Sequence, residues 1–140
     1  MRSFLLLSVL FLFSAFCQAQ TDTVQTVSGL RYVVLENRNG KLVKKGAKVK
    51  VHYTGRLTNG FIFDSSEGSK PIKLKAGTGE VIPGWDEMLL LMRKGQEVEV
   101  HIPAYLAYAD RGVAHPEEPG NYLIPPGSDL IFRMKIVDVK

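Results

Sequence analysis

The chain has 140 residues, with 18 Lys and Arg against 14 Asp and Glu, a net charge of +4, and 45% hydrophobic residues including a single cysteine. That length makes one ordinary domain, long enough to bury a core. So mild a basic balance is no nucleic-acid footprint: the lysines between Lys41 and Lys50 have no aromatic or arginine cluster beside them and read as a solvated hairpin face.

Arg2 gives a short positive start, and Leu5 to Phe16 is almost continuously apolar. This stretch falls short of the roughly 20 apolar residues that span a bilayer. It ends in Cys17-Gln18-Ala19-Gln20. A charged start, an apolar middle and a small-residue cleavage site predict a secretory signal peptide over 1–19, cut after Ala19. A retained anchor helix and lipidation of Cys17 are the alternatives. Phe16 speaks against lipidation, because that cleavage wants a small residue before the cysteine. The expected location is the periplasm or the exterior, with membrane attachment only if Cys17 is lipidated. Cleavage removes Arg2 and Cys17, leaving 17 basic residues against 14 acidic ones. Without Cys17 there is no disulfide, thiolate nucleophile or Cys-based metal site.

Residues 20–28 read as a polar leader without periodicity. From Gly29 the pattern has period two: Leu30, Tyr32 and Val34 share one strand face, then Val49, Val51 and Tyr53 another. Asn59-Gly60 signals a turn, Phe61-Ile62-Phe63 resumes an extended chain, and Pro71 to Lys75 predicts a short strand. A helix is expected from Trp85 to Lys94, between Pro83-Gly84 and Gly95, with acids in its first turn and bases in its last. Trp85, Met88, Leu89 and Met92 fall on one face at helical spacing, so that stripe should pack on a sheet. Val98, Val100 and Ile102 mark the next strand, Leu106 to Asn121 a long loop, and Leu130, Phe132, Met134 and Ile136 the inner face of a last strand from Ser128 to Val139. Strands around one helix, with no βαβ period and no internal repeat, predict an α+β domain with an antiparallel sheet.

Most chemical-looking motifs fail on context. Gly77-Thr78-Gly79 lies near a helix start but lacks the spacing and the Lys-Ser/Thr of a phosphate loop, so no nucleotide is expected. Ser65 and Ser66 stand in polar strand-end sequence without a nucleophile elbow. His52, His101 and His115 are isolated, which predicts no metal site, and His52 and His101, on the polar faces of their strands, are expected in solvent. Glu117-Glu118 sit in a Pro-flanked loop rather than on a scaffold for paired-acid chemistry. What remains is Tyr53, Phe63, Asp64, Val81, Ile82, Trp85, Tyr108, Ile124 and Phe132. These residues make either a core or a pocket; pocket-lining needs several of them at one rim, which periodicity cannot show.

Five motifs in order settle on a resemblance. Val51-His52-Tyr53-Thr54-Gly55, Phe63-Asp64-Ser65-Ser66, Glu80-Val81-Ile82-Pro83-Gly84-Trp85, Ala107-Tyr108, and Ile124-Pro125-Pro126 before Leu130-Ile131-Phe132 are similar to the FKBP-type peptidyl-prolyl cis-trans isomerases. The resemblance covers residues 29–140. It implies a curved antiparallel sheet of five or six strands wrapped around one short helix, with a proline pocket between them. Trp85 would be the pocket floor, with Tyr53, Phe63, Ile82 and Phe132 as walls. The Ile82 amide and the Tyr108 hydroxyl would hold substrate carbonyls, Asp64 would stand at the rim, and Val81, Leu123 and Ile124 would edge the opening. It further implies isomerisation of X–Pro bonds in proline-containing polypeptides, by a monomer that uses no cofactor. A non-catalytic module that binds proline segments or acts as a chaperone is the alternative. Four features depart from the family pattern: Ile72 and Leu74 replace common pocket phenylalanines, Ala109 stands where glycine is usual, the 111–122 loop is long, and His115 has no assured counterpart.

Overall fold

A computed structural model describes residues 22–140; the expected signal peptide and Cys17 lie outside the described residues. The strands are β1 (Val24–Gln25), β2 (Arg31–Glu36), β3 (Lys48–Leu57), β4 (Ile62–Ser65), β5 (Ile72–Lys75), β6 (Glu97–Ile102), β7 (Val113–Ala114), β8 (Tyr122–Ile124) and β9 (Leu130–Val139), with the helix α1 at Pro83–Leu91. Seven strands form one antiparallel sheet in the order β1-β2-β6-β9-β3-β4. Strand β5 shares a lane with β4: β3 pairs with β5 through Lys48 to Val51 and with β4 through Thr54 to Arg56.

Alternation decides which side of the sheet meets the helix. Val49 and Val51 of β3, Val98, Val100 and Ile102 of β6, and Leu130, Phe132, Met134 and Ile136 of β9 are all buried. Trp85, Met88, Leu89 and Met92 bury the expected stripe against them. Each such side chain contributes about 1.5–3 kcal/mol when removed from water. In β9 the alternation breaks once. Lys50 pairs with Asp138 but Val51 pairs with Ile136, so Val137 bulges outward and Val139 turns back inside.

Three expectations need correction. The leader is partly ordered, because Val24 and Gln25 pair with Tyr32 and Arg31, and this raises the strand count above five or six. The helix stops at Leu91, short of any basic residue: Met92 is extended and its carbonyl accepts from the Val43 amide at 3.0 Å. Gly95 therefore ends a following turn, at φ +85°, rather than capping the helix. The long loop holds a small hairpin in which Val113 pairs with Ile124 and Ala114 with Tyr122. Among the described residues no helix is long and apolar enough to cross a membrane.

Candidate active site

A cleft of about 200 Å³ opens between α1 and the sheet, and Trp85 is set among its lining residues. Its indole ring is 4% exposed and meets Tyr53 edge-on at 5.1 Å and Phe132 edge-on at 5.3 Å between ring centres. Phe63 meets Phe132 in the same way at 5.6 Å. Such edge-to-face pairs are each worth about 0.5–1.5 kcal/mol beyond their burial. They offset the cost of the Trp85 Nε1–H, which is buried without a partner among the described residues. Gly55 makes this packing possible from below. A Cβ built there would lie 2.5 Å from the Phe132 ring and 2.7 Å from the Phe63 ring.

Backbone and hydroxyl contacts fix the wall on β3. The Tyr53 amide donates to the Ser66 Oγ at 2.9 Å, and the Ser66 amide returns a bond to the Tyr53 carbonyl at 2.9 Å. Ser66 is therefore buried rather than a polar strand end. His52 and His101, expected in solvent, are half-buried and partnered. The His52 Nδ1 lies 2.9 Å from the Ser66 hydroxyl, and His101 stands 2.6 Å from the Arg31 guanidinium and 3.6 Å from the Asp129 carboxylate.

The polar groups of the cleft divide into spent and unspent. The Tyr53 hydroxyl donates to Asp64 Oδ2 at 2.6 Å. Burial first, then that hydrogen bond and the Asp64 charge, push the Tyr53 hydroxyl far above the ordinary phenol range. Burial also pushes Tyr108 up, reinforced by Asp64 and opposed by Arg111. Both phenols are thus neutral donors at physiological pH. The Tyr108 hydroxyl and the Ile82 amide have no hydrogen-bond partner among the described residues. Asp86 of α1 secures the chain before Ile82, its carboxylate accepting from the Gly77 amide at 2.8 Å and the Gly79 amide at 2.7 Å. Those two glycine amides, which a phosphate would need, are taken by the protein itself. Among the described residues no group of three His, Cys, Asp or Glu is placed to hold a metal ion.

The structure brings Tyr53, Phe63, Asp64, Val81, Ile82, Trp85, Tyr108 and Phe132 to this one cleft. It does not bring Leu123 or Ile124. The hairpin register puts Ile124 opposite Val113 and turns it into the core, and Leu123 is half-buried away from the lining. Two lining residues, Ile72 and Glu80, were missed as site residues. The resemblance already marked Ile72 as standing where pocket phenylalanines are common, a signal that could have found it; Leu74, marked with it, is buried in the core instead.

The sequence model of the FKBP-type peptidyl-prolyl cis-trans isomerases matches residues 39–137. The chain belongs to this family. Its relatives include the peptidyl-prolyl cis-trans isomerase FKBP15-1 of Arabidopsis thaliana, 40% identical over 136 residues that cover 96% of this chain and 82% of the relative. FK506-binding protein 4 of Neurospora crassa is 40% identical over 120 residues, 86% of this chain, which spans only 24% of that longer protein. Among solved structures, AtFKBP13 superposes with a TM-score of 0.79 at 36% identity, covering 85% of this chain and 99% of its own. The FKBP fold, an antiparallel sheet with a single short helix, is therefore shared as well as the motifs.

Proposed function

We propose that the cleft accelerates cis/trans rotation of X–Pro bonds in exported polypeptides and so assists their folding, the chain acting as a monomer in the periplasm or outside the cell. The observation that carries this reading is a pair of unspent donors, the Tyr108 hydroxyl and the Ile82 amide, lining a cleft based on Trp85.

Rotation about an X–Pro amide faces a barrier of about 18–20 kcal/mol, because twisting destroys amide resonance. No bond breaks, so the reaction requires no nucleophile and no proton transfer. The twisted amide is less charge-separated than the planar one. A dry aromatic cleft holding the pyrrolidine ring therefore disfavours the planar ground state relative to the transition state. Trp85, Tyr53, Phe63 and Phe132 supply that environment. Tyr108 and the Ile82 amide hold the carbonyls on either side of the rotating bond, which keeps the flanking chain still while the bond turns. Asp64 fixes the Tyr53 hydroxyl and places one negative charge at the cleft. Export is supported by the sequence of residues 1–20, where Arg2, the apolar run and Ala19 make a cleavable leader. Proline isomerisation is a slow phase that exported clients would share.

A coupled peptide assay tests the activity. Trp85→Ala should lower kcat/KM by about 100-fold through lost positioning, and Tyr108→Phe by about three- to tenfold, the value of one hydrogen bond. Unchanged rates in folded variants would overturn these roles, and binding without acceleration in the unaltered protein would make it a proline-binding module. Mass spectrometry of the secreted N-terminus and sedimentation of the mature chain test the rest. A chain starting at Gln20 and sedimenting as a monomer is expected; lipid on Cys17 or an uncut leader would overturn the assignment to a soluble exported form.

A further inference from the structure

Beside the proline cleft lies a second depression, of about 380 Å³, bordered by Lys48, Lys50, Lys73, Lys75 and Lys140. The register between β3 and β5 sets Lys48 directly opposite Lys75 and Lys50 directly opposite Lys73. Lys140 joins them from the next lane, because Lys48 and Lys140 exchange backbone hydrogen bonds of 3.1 and 2.9 Å. Like charges facing each other across a strand pair destabilise a sheet, and Asp138, opposite Lys50 on β9, offsets only part of this. None of the five lysines forms an ion pair among the described residues. Of the two acids at the depression, Asp138 is bound to Lys94 at 2.8 Å, and Glu80 accepts from the Lys75 amide at 2.9 Å.

Its position links it to the cleft. Glu80 borders both depressions, and the consecutive residues Ile72 and Lys73 of β5 line one each. The edge of β5 is thus a shared wall between two faces, the cleft on the inner face of the sheet and the groove on the outer one, so a bound segment reaches the groove around that edge. We infer that the lysine groove receives acidic side chains in the segment flanking a bound proline, so that the protein favours clients whose proline lies a few residues from Asp or Glu. This inference rests on the isomerase reading of the cleft. The groove has no aromatic residue on which bases could stack. Its apolar members, Val49 and Leu74, are 1% and 8% exposed, so no greasy side chain is available to enter a bilayer. An acidic peptide is the occupant that both the charge and the shared wall fit.

The test uses two peptides with one Leu-Pro-Phe centre. One carries three glutamates about four to eight residues from the proline, enough extended chain at about 3.3 Å per residue to cross a strand pair, and the other carries glutamines. Versions with the acids on each side of the proline are compared at about 20 mM and about 500 mM salt. At low salt the glutamate peptide should bind and turn over about five- to tenfold better on one side, the gain a few exposed ion pairs supply. That advantage should vanish at high salt and in Lys73→Gln/Lys75→Gln or Lys48→Gln/Lys50→Gln, with turnover of the glutamine peptide unchanged. Equal affinity for both peptides at low salt, or an advantage that survives in both double variants, overturns the inference. So does binding of anionic vesicles or single-stranded DNA that is lost in the variants while the peptides show no acid preference. If the glutamine peptide binds without being isomerised, the isomerase reading fails, and the acid preference in Kd still judges the groove.

Discussion

The two sides of the proline cleft are built differently. On one side Tyr53 and Phe132 stand on β3 and β9, which run paired from Val49 to Leu57, and Phe63 stands on β4, held by the same β3. Their rings interlock, and Ser66 ties Tyr53 in place twice. On the other side Tyr108 stands in irregular chain, after a 3-10 turn at Ala104–Leu106. That side is held by turn hydrogen bonds rather than by strand pairing: the Ala107 and Ala109 amides donate to the Ala104 carbonyl at 2.9 Å each, the Ala104 amide donates to Asp129 at 2.9 Å, and the Gly127 amide to the Ala109 carbonyl at 2.8 Å. Ala109 itself sits at φ +48°, in the left-handed region. The sheet side resists change by packing, whereas the loop side tolerates strain to put one hydroxyl in place.

The largest expected effect breaks the sheet side. Gly55→Ala drives a methyl between Phe63 and Phe132, and overpacking of this kind costs about 1–3 kcal/mol. Denaturant unfolding should show that loss together with a fall in turnover; unchanged stability would mean that the rings are not in contact across Gly55. A smaller effect sharpens the loop side. Ala109→Gly removes a left-handed alanine, and after glycine's larger unfolded-state entropy a gain of about 0.5–1 kcal/mol remains. A thermal midpoint that falls instead would show that the loop conformation carries no strain. The smallest effect appears only in alkali. Because the folded-state pKa of Tyr53 is raised, its contribution to stability is present below about pH 10 and is lost as pH rises beyond that. Tyr53→Phe should therefore flatten the loss of stability above about pH 10, while an unaltered slope would show that Tyr53 titrates as a free phenol.

What the sequence revealed follows the same division. Strands β3, β6 and β9 and the helical stripe were legible because each repeats its period over many residues and one face of each is buried. The hairpin of β7 and β8 was not, since its strands have two and three residues, too few to show alternation. Ile124, placed at the pocket by the resemblance alone, is turned into the core by that hairpin. Gly95 looked like a helix stop, yet the helix ended earlier, because a bridge between Arg93 and Leu42 demanded extended chain there. Ile72 was marked only through the resemblance, and Glu80 was overlooked for another reason. A cleft wall assembled from β5 and the approach to α1 has no signature in either segment alone.

One consequence follows from the grip of Asp86 on the Gly77 and Gly79 amides. It tethers the stretch leading to Ile82, so the donor offered by Ile82 is oriented before any client arrives. A preset donor in an open cleft needs no lid and no gating motion. Turnover by this protein should then be set by bond rotation rather than by closure, and should be nearly indifferent to the viscosity of the surrounding medium.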